Sequence, residues 1–261
     1  MIQDVFIMLF AGLVAGLVGG LLGLGGGIVL MPVLRFVLGY PPEIAAGTCI
    51  LAVFCTTAGG SWRHYREGHI EYRSLIPVIL AGAVTTLIFS ILFVSAAGHP
   101  RFLDLGIGVV FCVVAVRMIR GGLRHRAGRL ALEQAERSLP GTTRQKLVIG
   151  ASAGVLPGLF GIGTGAILVP VFTILLGAQI KVAIGSSLAC FMVNAAISSA
   201  FKLFQGFVDL GAAVPLCVGT VVGANLGARI NRRSPSSLLK LVFGLMFLVV
   251  AARFIYSGLT K

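Results

Sequence analysis

The stretch Gly150-Ala151-Ser152-Ala153-Gly154 carries the G-x-S-x-G pattern of serine hydrolases. That chemistry needs the serine on a strand-to-helix elbow with a histidine placed beside it. Here the stretch lies within a long apolar run, and no nucleophile is expected. Gly20 to Gly27 is rich in glycine, but no Gly-Lys-Ser/Thr follows, so it is not a phosphate-binding loop. The histidines His64, His69, His99 and His125 lie in or near loops without metal-ligand spacing. Cys49, Cys55, Cys112, Cys190 and Cys217 form no C-x-x-C pair and read as free buried thiols. No catalytic residue, metal or cofactor is expected, and the chain does not read as an enzyme.

Two other clusters have a physical use. Gly25-Gly26-Gly27 and Gly163-Thr164-Gly165 interrupt apolar runs. Three small residues in sequence are poor helix formers and allow turns with positive φ. A helix restarting after such a break exposes unpaired N–H groups and a partial positive charge. Two such starts facing each other would bind an anion without Lys or Arg. The next run adds neutral polar candidates: Thr48, Ser186 and Ser187, then Thr56, Thr57 and Asn194. Gly16, Gly20, Gly154 and Gly158 are expected to serve close helix packing.

The elements that must position these residues are membrane helices. The 261 residues are 57% hydrophobic and only 11% charged, with a mean hydropathy of +1.01. A soluble domain carries about 25% charged residues, so lipid is the expected solvent. No Asp, Glu, Lys or Arg occurs from Val5 to Leu34, Ile44 to Trp62, Ser74 to Gly98, Leu147 to Ile180, Val182 to Phe201 or Leu210 to Ala228. Each run is about as long as a spanning helix requires. Two further runs, Phe102 to Ile119 and Leu238 to Ser257, span if Asp104, Arg117, Lys240 and Arg253 snorkel to the headgroups. The net charge of +13 then reads as topology signal and contact with anionic lipid, not nucleic-acid binding. Met1-Ile2-Gln3-Asp4 lacks the basic start of a cleavable signal peptide.

A shift of 138 positions lays the second half on the first. Gly16 falls on Gly154, Gly20 on Gly158, Gly25 on Gly163, Gly27 on Gly165, Pro32 on Pro170, Gly68 on Gly206 and Pro77 on Pro215. The expected fold is therefore all-α and polytopic. It has two repeats, residues 1–119 and 147–261, joined by a basic linker at 120–146. A surface helix is expected from Arg126 to Ser138. Each repeat has one Gly-broken, re-entrant helix plus three spans, about eight transmembrane segments in all. The positive-inside rule favours inverted over parallel repeats. With re-entrant breaks, 16 of the 21 Lys and Arg residues fall on the cytoplasmic side. Paired broken helices in two repeats are a sequence pointer to a transporter site. Deep spans lack a lone carboxylate, which disfavours a cation substrate.

The stretch from Gly20 through Gly25-Gly26-Gly27 to Met31-Pro32-Val33-Leu34 resembles the first signature of the TauE/SafE sulfite exporter family. Gly158 to Phe172 is similar to the second, and the Ala46-Gly47-Thr48 and Gly185-Ser186-Ser187 steps also look like the family's. The resemblance covers essentially the whole chain. It implies a multi-pass permease of the bacterial or archaeal inner membrane for sulfite or an organosulfonate. The expected substrate-binding residues are Gly25, Gly26, Gly27, Thr48, Gly163, Thr164, Gly165, Ser186, Ser187 and Asn194. The expected partners are the small anion and the lipid bilayer. A coupling proton or sodium ion and an oligomer stay open. An anion channel of the same fold and an accessory membrane protein are the alternatives.

Overall fold

The computed structural model describes residues 2–22, 25–123, 139, 141–230 and 236–260. The expected surface helix at Arg126 to Ser138 lies outside them. The described residues form ten helices, labelled in chain order. In the first half these are α1 (Ile2–Leu22), α2 (Gly27–Pro32), α3 (Pro42–Arg66), α4 (Tyr72–Ala97) and α5 (Pro100–Leu123). In the second they are α6 (Thr143–Phe160), α7 (Gly165–Pro170), α8 (Ile180–Phe204), α9 (Leu210–Ile230) and α10 (Ser236–Thr260). The helices α5 and α6 extend a few residues into the expected linker. Five described helices are long and apolar enough to cross a membrane, and shorter apolar helices accompany them. The protein is a polytopic membrane protein.

The short limbs α2 and α7 each end on a proline, Pro32 and Pro170. Proline cannot donate to the carbonyl four residues back, and its ring crowds that carbonyl. The helix continues as a wider π turn, Val33–Val37 and Val171–Leu175. Leu38 donates to the Val33 carbonyl at 2.9 Å, and Leu176 to that of Val171 at 3.3 Å. Gly39 and Gly177, at φ of 72° and 69°, then turn the chain into the next span.

Glycine contacts fix the direction of four seams. A Cβ on Gly12, Gly16 or Gly20 of α1 would strike Leu216, Thr220 or Ala224 of α9, so these helices run parallel. The equivalent pair is α6 with α4: Gly150 meets Val78, Gly154 meets Gly82, and Gly158 meets Thr86 and Phe89. The spans α3 and α8 run antiparallel, because Gly47 lies on Phe207 while Gly60 lies on Leu188. The same holds for α5 and α10, where Gly108 meets Ile255 and Gly244 meets Ile119. Since α3 and α8 are repeat equivalents, the repeats are inverted. The hairpins are re-entrant: Tyr40, just past the π turn, donates to the carboxylate of Asp209 at the start of α9, level with the start of α1. Each hairpin packs on the fourth helix of the other repeat, so the halves interlock.

Asp104 departs from the sequence expectation. It does not snorkel; it is 1% exposed. Arg35 donates to both of its oxygens, at 3.0 and 2.7 Å, and Ser257 donates at 3.0 Å. Arg35 also reaches the Tyr40 carbonyl at 3.2 Å. The bidentate pair satisfies two charges withdrawn from water and ties the first hairpin to α5 and α10. Removing one partner of such a buried pair costs about 3–5 kcal/mol, whereas replacing both with apolar side chains is often neutral. Asp104→Ala should therefore be strongly destabilising, with Arg35→Met/Asp104→Leu recovering most of the loss. Unfolding of detergent-solubilised protein in a double-mutant cycle measures this. An Asp104→Ala protein as stable as the parent would show that Arg35 finds water or another partner.

Candidate functional site

The two breaks differ in detail. At the first, Gly25 and Gly26 have φ of 73° and 77°, a region costly to other residues. At the second, the positive φ belongs to Gly161, at 66°. Gly163 and Gly165 are absent from the positive-φ glycines, and Thr164 has φ of −90°. Close approach explains the other glycines. A Cβ on Gly27 would stand 2.8 Å from the Val53 side chain and 3.3 Å from the Gly163 nitrogen. The two breaks thus meet. Around them lie Cys49, Val53 and Thr57 from α3 and Phe191 from α8. These residues sit near the middles of their spans, so the junction is deep in the protein. The sulfhydryl of Cys49 lies 3.5 Å from the Gly27 carbonyl.

The short limbs begin at this junction. Their first N–H groups have no partner inside the limb. The carbonyls of Gly26 and Thr164 already accept the first bonds of each limb, from Val29 and Leu30 at 3.0 and 3.2 Å and from Ile167 and Leu168 at 2.9 Å each. The hydroxyl of Thr164 is fully buried and has no hydrogen-bond partner among the described residues. That of Ser186 is in the same condition. A buried hydroxyl without a partner costs free energy and calls for an explanation.

The structure gathers Gly25, Gly26, Gly27, Gly163, Thr164 and Gly165 at one junction. It sends three other candidates elsewhere. Thr48 accepts from the Asp209 N–H at 3.1 Å and so helps cap α9. Ser187 donates to Ile184 of its own helix at 3.0 Å. Asn194 is buried against Gly82 of α4, with its amide atoms 3.0 and 3.1 Å from where a Cβ would stand. It thus faces a helix seam, and its amide oxygen has no partner. Phe191, Cys49 and Val53 were not among the expected residues. Only their register on the spans flanking the breaks could have signalled them.

A cavity of about 50 Å³ runs from Gly25 towards the face carrying Arg63, Arg66 and Arg73. Gly19, Thr56, Arg63, His64 and Asn225 line it, among others. At its mouth Arg63 donates to Glu67 at 3.1 Å. This bond and the guanidinium charge hold the Glu67 carboxyl below its usual range, so it is ionised at neutral pH.

Lys202 likewise stays inside the protein. Its place near a span end suggests an interfacial side chain, yet it is fully buried. It donates to the carbonyls of Pro157 and Gly158 at 3.3 and 2.6 Å and to Ser198 at 3.0 Å. Its ammonium stands 4.1 Å from the centre of the Phe93 ring. These carbonyls belong to the last turn of α6, where the second break frees them. A cation there meets the negative end of the helix dipole.

A sequence model of the family described as "Sulfite exporter TauE/SafE" matches residues 8–254. A "Probable membrane transporter protein" of Xylella fastidiosa (strain 9a5c) is 31% identical, over 98% of this chain and 97% of its own length. "Probable membrane transporter protein YunE" of Bacillus subtilis (strain 168) is 25% identical, over 97% of this chain and 98% of its own. A third, "Probable membrane transporter protein MJ0441" of Methanocaldococcus jannaschii, is 23% identical over 89% of this chain and 88% of its own. No solved structure is significantly similar.

Lys202→Met should free two carbonyls and a hydroxyl at the second break. A hydrogen bond to a charged group contributes roughly 1.5–3 kcal/mol, so the melting temperature in detergent should fall clearly. Lys181→Met, on an exposed site of the same helix, should leave it unchanged. Equal melting of the two variants would remove Lys202 as the cap of α6.

Proposed function

The chain belongs to the TauE/SafE sulfite exporter family, and on that premise we propose that it is a secondary transporter moving sulfite or an organosulfonate across the cell membrane by alternating access. The observation that carries this reading is the junction of the two breaks, where the unpartnered Thr164 hydroxyl is buried beside two helix starts. An oxyanion is the ligand such donors favour. The short limbs direct N–H groups and the positive ends of their dipoles at it, and Thr164 supplies an O–H. None of the described residues packed around the junction is acidic, so a cation would find no countercharge among them.

The cavity gives the direction of access. It connects the junction to the basic face, which is the cytoplasmic face by the positive-inside rule. Arg63, Arg66 and Arg73 on that face attract anions. On the opposite face, Tyr40 with Asp209 and Arg35 with Asp104 tie the first hairpin to α9 and α5. The protein is then in an inward-facing state. Transport requires the hairpins to shift against the spans so that the junction opens to the other side, as in carriers whose repeats exchange conformations.

Purified protein in sealed liposomes should take up labelled sulfite saturably, with sulfoacetate, thiosulfate, sulfate and chloride as competitors. Thr164→Val keeps the shape and removes the hydroxyl. Because that hydroxyl has no partner among the described residues, stability should be unchanged or slightly raised, while transport efficiency falls roughly tenfold or more, the scale of one hydrogen bond to a charged group. Uptake that never saturates would identify a channel. Absence of any anion flux under imposed pH and sodium gradients would leave the accessory role. Normal transport by Thr164→Val would remove the junction as the binding site.

A further inference from the structure

We infer that His64, Glu67 and His69 form a binding site for a divalent transition-metal ion, with zinc the best match, at the mouth of the cavity on the basic face. The site is independent of the substrate assigned above, and the spacing H-x-x-E-x-H gives no warning of it in sequence. The backbone creates it. The span α3 ends in a Schellman turn: Gly68 has φ of 70°, His69 N–H donates to the His64 carbonyl at 3.0 Å, and Gly68 N–H to that of Tyr65 at 3.0 Å. In this turn the side chain two positions past the cap folds back onto the one three positions inside the helix. Those two residues are His69 and His64.

The distances suit a metal. The two Nδ1 atoms are 3.3 Å apart, and Nδ1 of His69 is 3.3 Å from Oε2 of Glu67. Tetrahedral ligands about 2.0–2.1 Å from zinc stand about 3.3 Å from each other. All three ligand atoms lie within 4.8 Å of one another. An ion between the two Nδ1 atoms would take the place of the contact that joins them. Arg63 holds the other carboxylate oxygen of Glu67 at 3.1 Å. That is the outer-shell bond that orients a metal-binding carboxylate. Two histidines and one carboxylate leave a position for water or an anion, and His64 lines the cavity.

The second repeat supplies an internal control. It builds the same turn at Gly206, with φ of 77°, and Phe207 N–H donates to the Lys202 carbonyl at 2.9 Å. There Lys202, Gln205 and Phe207 replace His64, Glu67 and His69. The turn therefore needs no histidine, and the ligand set is a feature of the first repeat alone.

The test uses full-length, tag-free protein in detergent, stripped with a chelator. Zinc binding is read by competition with a chromophoric chelator, and coordination by the visible spectrum of the cobalt-substituted protein. The parent should bind one zinc ion per chain and show a tetrahedral cobalt spectrum. His64→Lys/His69→Phe, which imports the pair tolerated by the same turn in the second repeat, should lose both signals while keeping its melting temperature without metal. Glu67→Gln should weaken binding roughly tenfold or more, the cost seen even for outer-shell partners. Binding that is no tighter in the parent than in the double variant, or a cobalt spectrum unchanged by Glu67→Gln and by the double variant, would overturn the assignment.

Discussion

The constraint on which everything else depends is that a peptide group in hydrocarbon must find its hydrogen bond within the protein. An unbroken helix meets it alone. This chain breaks two helices inside the membrane, and each break frees carbonyls on one side and N–H groups on the other. The carbonyls at the end of α6 are met by Lys202 from α8. The start of α9 is met partly by Thr48 from α3. Neither support comes from the helix it serves: Lys202 lies on the next span of the same repeat, and Thr48, which meets the start of the unbroken α9, crosses between repeats. The halves interlock: the long helix of each hairpin lies along the fourth helix of the other repeat, while its short limb packs on the third helix of its own.

Close approach is the second condition. A break can be shielded only if neighbouring backbones come near enough to exclude lipid, and along α1 and α6 the glycines every four residues permit this. A Cβ at Gly16 or Gly154 would enter the backbone of the facing helix. This is why the repeat was legible in the sequence. The seam positions that must be glycine on α1 are the same on α6, and the 138-residue offset reads them directly. The breaks were legible for the same reason, as was the re-entrant course, through the distribution of basic residues.

What was not legible is rotation and partnership. Sequence gives the depth of Asp104 but not that Arg35, 69 positions away, meets it inside the protein. Lys202 stands near a span end, where depth alone suggests a headgroup contact, yet its helix face turns inward to the freed carbonyls of α6. Thr48, Ser187 and Asn194 sit at the right depth for the junction yet point to α9, to their own backbone and to α4. The Gly68 turn was visible. Its consequence, that residues 64 and 69 must touch, needed the Schellman geometry rather than a ligand motif.

Inverted duplication gives two equivalent frames, and the differences between them mark where the two faces diverge. Position for position, Gly26 faces Thr164, His64 faces Lys202, Glu67 faces Gln205 and His69 faces Phe207. The second repeat puts a cation into its turn, where it braces the end of α6 and stands over the Phe93 ring of α4. The first repeat puts imidazoles and a carboxylate there, at a cavity that reaches the break. One turn thus supports the scaffold while its twin is free to hold a ligand. A perfectly symmetric duplication would have the same energy facing either side. Unequal side chains at equal backbone positions let one orientation be favoured, and let an ion at the cytoplasmic mouth act on one state without a counterpart in the other.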